Sequence, residues 1–143
     1  MRLILVVANQ TLLGDELLRA MQAKREEDGD TLFHLLVPEH HPKGAWSEGQ
    51  VHATTKARLA EARGHFAEQG IEVTGEIGDA NPIQAVSDVM LRESFDEIIV
   101  STLPAGPSHW LRADVPSRLR RHFSQPVTHV VAPGVDAHAI PRS

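Results

Sequence analysis

Five short apolar runs separated by four amphipathic stretches constrain this chain more than any single motif does. The first run, residues 3–8 (Leu-Ile-Leu-Val-Val-Ala), is apolar at every position, as a central parallel strand covered on both faces requires. Further strands are expected at 31–37, 71–77, 97–102 and 127–132. The third alternates apolar and polar residues, which suits a sheet edge. A first helix opens at Gly14 or Asp15 and puts Leu17, Leu18 and Met21 on one face. A second is expected over 53–69, striped by Leu59, Ala62 and Phe66, with Gly70 where a left-handed C-terminal cap belongs. The third has the clearest start: Asn81 as N-cap and Pro82 at the first helical position. The fourth begins near Asp114 and is striped by Val115, Leu119 and Phe123. This alternation predicts an α/β fold, a single doubly wound five-stranded parallel sheet. Right-handed crossovers leave the strand orders 2-1-3-4-5 and 3-2-1-4-5, between which periodicity does not choose.

A chain of 143 residues fits one domain with a real core. Residues 1–133 are assigned to it, and 134–143 read as an extended tail. With no cysteine, disulfides, thiolate nucleophiles and Cys-based zinc sites are excluded. A formal charge of −5 and the absence of tyrosine speak against nucleic acid and anionic membranes as partners. Residues 3–8 are too short for a signal-peptide core, and no apolar run approaches the roughly 20 residues that span a bilayer. A cytoplasmic protein is the expectation.

The loop 103–116 (Leu-Pro-Ala-Gly-Pro-Ser-His-Trp-Leu-Arg-Ala-Asp-Val-Pro) follows the fourth strand and opens the last helix. In parallel α/β domains phosphates bind at such a place, because backbone amides and a helix N-terminus converge there. Here the chemistry is thin. Pro104, Pro107 and Pro116 each remove a donor, and Asp114 as N-cap would accept the amides a phosphate needs. A carboxylate about 4 Å from a phosphate charge costs on the order of 4 kcal/mol at an effective dielectric near 20.

Other residues weigh less. Arg112, Arg118, Arg120, Arg121 and His122 read as a solvated helix surface before a docking patch. The nine histidines, His40, His41, His34, His109 and His129 among them, lack zinc-ligand spacing. Ser101, Ser108 and His109 lack a nucleophile elbow, so hydrolysis is not expected. Neutral Asn9 and Gln10 exclude a response regulator's acidic pair, and 9–14 is a poor flavin-phosphate loop. Trp110 is expected to anchor its loop. Trp46 belongs to the long connection 38–52, which should lie over the strand ends.

Four segments stand in a telling order: residues 3–9, Gly78-Asp-Ala-Asn-Pro-Ile83, Asp96-Glu-Ile-Ile-Val100 and Pro126-Val-Thr-His-Val-Val131. In them the chain resembles the universal stress protein family across nearly its whole length. The resemblance implies strand order 3-2-1-4-5, a homodimer paired through the last strand (Val127–Val131), and an ATP-type nucleotide site beside strands one and four. Carried over, that site comprises Asn9, Val37, Gly78, Gly106, Ser108, Arg112 and Asp114. ATP-binding members have an Asp where Asn9 stands, and three glycines then Ser or Thr where this chain has Leu103, Gly106, Ala113 and Asp114. Leu103 and Ala113 restore a Cβ where backbone must approach an anion. The expectation is a non-catalytic, homodimeric module for stress response or signalling, acting through ligand or protein interaction, without cofactor or metal. The alternative is a nucleotide-binding member that holds ATP or AMP in an altered phosphate loop.

Overall fold

The computed structural model describes residues 1–39, 48–104 and 109–132. Among them five parallel strands form one sheet: β1 (Arg2–Val7), β2 (Thr31–Pro38), β3 (Val73–Gly78), β4 (Glu97–Thr102) and β5 (Val127–Val131). Their order is β3-β2-β1-β4-β5, the second of the two that periodicity allowed. Val7 stands opposite Leu36 of β2 and Val100 of β4, which brings the carboxyl ends of the three central strands level.

Helices cover both faces, which is why residues 4–7 of β1 and all of β4 are buried without alternation. On one face α1 (Asp15–Asp28) and α2 (Glu48–Glu68) set Leu17, Met21, Leu59 and Phe66 against Ile4, Val6, Phe33 and Ile99. On the other, α3 (Pro82–Met90) and α5 (Val115–His122) set Val86, Val89, Val115 and Leu119 against Leu5, Val7, Ile98 and Val100. Asn81 caps α3 as predicted, its Oδ1 accepting from the amides of Ile83 (2.9 Å) and Gln84 (3.4 Å). Gly70, at φ 75°, turns the chain out of α2.

Several strand ends differ from the sequence reading by one residue, and three departures are larger. Strand β3 starts at Val73 rather than 71, because the Ile71 amide is held by the Phe66 carbonyl at 2.9 Å and finishes the helix end instead. Helix α2 begins at Glu48, five residues before the apolar stripe suggested. A single helical turn, α4 (His109–Arg112), stands within the loop after β4. Trp110 of that turn packs on the α3/α5 core, anchoring the loop as expected.

At the amino end of the sheet lies a charged knot. Glu97, buried to 2% exposure, accepts from Arg2 Nη2 (3.0 Å), Lys24 Nζ (2.8 Å) and Thr128 Oγ1 (3.1 Å). One carboxylate thereby joins β1, α1, β4 and β5.

Candidate functional site

Strand order reverses between β1 and β4. The loop after β1 departs toward α1 on one face and the loop after β4 toward α5 on the other. Such a divergence marks the crevice region beyond the strand ends where open α/β sheets take ligands.

Asn9, two residues past β1, is buried in this region. Its Nδ2 donates to the Pro38 carbonyl at the end of β2 (2.6 Å), and its Oδ1 accepts from Arg58 Nη1 of α2. Pro38 has no amide hydrogen, so with its carbonyl taken the end of β2 offers little to a base edge. Across the reversal point Thr11 Oγ1 and Ser101 Oγ, both buried, share a hydrogen bond of 2.6 Å. Ser101 therefore faces a hydroxyl and not a histidine. His129 pairs its Nε2 with Thr102 Oγ1 at 2.8 Å; burial, aided by nearby Arg120, holds its ionisation below the usual histidine range. Among the described residues no three His, Asp or Glu side chains converge as metal ligands would.

The predicted site residues do not all meet. Asn9 lies beside the end of β2, where Val37 is fully buried and turned into the α1/α2 core. Gly78 stands at the end of β3, two strands away from β1, opposite Pro38. A Cβ there would lie 2.8 Å from Leu36 Cδ1 and 2.9 Å from Ala85 Cβ. Gly78 thus admits α3 to the sheet rather than an anion to a loop. Gly78→Ala should cost roughly 1–3 kcal/mol by overpacking, read as a lower urea midpoint at unchanged slope.

Asp114 corrects one expectation. An N-cap needs extended backbone, but Asp114 is left-handed (φ 56°, ψ 40°) and its side chain makes no cap bond. The sharp joint between α4 and α5 demands that conformation, which Asp tolerates better than most residues. Its carboxylate turns outward, 61% exposed and 4.0 Å from Arg121 Nη1, a surface pair of little energetic weight. Gly106 and Ser108, the side chains of Arg112 and His109, Trp46, the His40-His41 pair and the tail 134–143 lie outside the described residues.

Negative charge stands at the mouth of α1, where Asp15 and Glu16 occupy the first turn and compete with a phosphate for the positive end of that helix. Arg58, by contrast, is a functional candidate that sequence reasoning missed. It sits 49 residues from Asn9, and its only local signal is its place beside Leu59 at the margin of the apolar stripe. Between the loop 9–13 and α2 lies a cleft of about 520 Å³ bordered by Asn9, Gln10, Leu12, Leu13, Thr54 and Arg58.

Compared with solved structures, the chain is similar to a universal stress protein from Archaeoglobus fulgidus, with a TM-score of 0.63. The match covers 91% of this chain and 93% of that one, at 14% identity. The fold is that of the universal stress proteins. No protein-family model matches the sequence, and no curated protein sequence does. At this identity the likeness carries the universal stress fold, and the chemistry must be read from the residues.

Proposed function

We propose that this chain is a non-catalytic universal-stress-like module that works as a homodimer, in stress response or signalling, through ligand or protein interaction. The observation that carries this reading is the internal use of the crevice's polar groups. Asn9 is engaged by Pro38 and Arg58, Thr11 by Ser101, and carboxylates stand at the mouth of α1. A bound triphosphate would have to displace these partners and face Asp15 and Glu16 together.

Dimerisation is supported by the edge strand. Val127, Thr128, His129 and Val130 are half-buried in the single chain and Val131 is 43% exposed. An apolar edge of this kind is paired or becomes an aggregation hazard. Light scattering at tens of micromolar should give twice the chain mass, and Val131→Lys should shift the mass toward the monomer. Calorimetry with ATP, ADP, AMP and cyclic AMP at millimolar concentration should give no binding heat. A monomer throughout would overturn the pairing, and saturable ATP heat would favour the altered phosphate loop instead.

A further inference from the structure

We propose that the cleft between the β1–α1 loop and α2 is a binding site for a small organic monoanion, a carboxylate carrying a short apolar body. Its volume, about 520 Å³, lies in the range of about 300–1,000 Å³ usual for small-molecule sites. The lining is of two kinds. Leu12, Leu13, Ala53 and Ala57 give an apolar wall, and Leu13 is one of the few large apolar side chains left exposed, at 38%. Arg58 supplies the charge.

The identity of residue 9 makes Arg58 available. An aspartate there would neutralise the guanidinium in an ion pair. Asn9 instead accepts one Nη1 hydrogen bond, which orients the group without adding a negative charge. No carboxylate among the described residues lies within 4.0 Å of Arg58, although the chain as a whole is acidic. A guanidinium fixed at one nitrogen still presents further N–H donors, a geometry that suits a bidentate carboxylate. Glu61, exposed on the same cleft, limits the charge the site accepts. One negative charge at Arg58 is matched; the several charges of a triphosphate are not.

The role of this cleft rests on the ligand-responsive reading above, but its chemistry does not, and the two fail separately. Hexanoate is the probe, followed by two-dimensional NMR of the leucine methyls and side-chain amides of the full chain. Saturable shifts are expected at the Leu12 and Leu13 methyls and the Asn9 amide, with a Kd on the order of 1 mM. Acetate, which lacks the body, and hexanol, which lacks the charge, should each bind at least about tenfold more weakly. Arg58→Gln removes the charge while keeping a polar side chain, and should weaken hexanoate by about tenfold or more, with Arg58→Lys recovering part of it. Leu13→Ser, a change at an exposed position, should weaken hexanoate by about threefold and leave acetate unaffected. The proposal is overturned if hexanoate gives no saturable shift at these residues, or if Arg58→Gln binds it as tightly. It is overturned equally if inorganic phosphate or ATP occupies the cleft more tightly than hexanoate. Loss of hexanoate binding in an intact dimer would remove this site alone, and a monomer that still binds it would remove only the pairing.

Discussion

Glu97→Ala should lower the stability of the fold by about 3 kcal/mol, a fall of roughly 10 °C in Tm for a domain of this size. The carboxylate is the shared acceptor for Arg2, Lys24 and Thr128, and its side chain is only 3% exposed. Removing one member of a buried ion pair costs about 3–5 kcal/mol when burial is complete and the others are left without a partner. Here Arg2 and Lys24 keep 38% and 25% exposure and retain Asp28 (3.3 Å) and Glu27 (3.5 Å), so water and these second partners recover part of the loss and the lower end applies. Glu97→Gln, which still accepts hydrogen bonds, should lose less. Lys24 gives an independent check. Its hydrogen bond to Glu97 is the main cause holding its ionisation above the ordinary lysine range, against some desolvation. A cation that holds its proton more tightly when folded contributes fully below its unfolded pKa, and the contribution is lost as pH rises through the folded value. Wild-type stability should therefore show an alkaline decline at Lys24 that Glu97→Ala reduces to the part Glu27 supplies. Urea unfolding of both variants across pH measures both effects. A Glu97→Ala loss below about 0.5 kcal/mol would refute the assigned network.

That network was invisible in the sequence, and the reason is instructive. Glu97 opens a strand that continues Ile-Ile-Val-Ser-Thr, and nothing local distinguishes a carboxylate at a strand's solvent end from one buried under a helix. What decides is Lys24, 73 positions earlier, which α1 carries over the sheet once its Leu17 and Met21 are packed. The sheet itself was legible because its signals are local. Continuous apolar character marked β1, the Asn81-Pro82 pair marked α3, and alternation marked β3 as an edge. Boundaries failed where a single backbone bond overrode pattern, as at Ile71. The site was legible only in its location. Asn9 could be placed at the end of β1 from sequence, but its two partners come from β2 and α2, and neither leaves a local trace. Asp114 misled because its residue type suits an N-cap, whereas the joint between two short helices required the left-handed conformation that residue type cannot announce.

Phe66→Ala should cost about 3–5 kcal/mol, the range for deleting a fully buried aromatic. Helix α2 has 21 residues but a narrow apolar face, on which Val51, Thr55, Leu59, Ala62 and Phe66 point inward. Of these only Leu59 and Phe66 are large. Phe66, wholly buried, fills the space between the helix and the β1–β2 core, and its carbonyl also accepts the Ile71 amide that ends the helix. Neighbouring residues cannot collapse far into the gap, because Gly75 already lets Leu59 approach the sheet so closely that a Cβ would stand 2.7 Å from it. The loss therefore lies in the upper half of the range. It also reaches the cleft, since α2 presents Arg58 to Asn9. Phe66→Leu should retain about half of the lost stability and keep the Asn9 side-chain amide resonance in place, while Phe66→Ala should broaden or shift it as α2 loosens. Urea denaturation with the same NMR probe measures both. A Phe66→Ala variant within about 1 kcal/mol of wild type would mean that α2 is held to the sheet by something other than this contact, and the position of Arg58 would need another account.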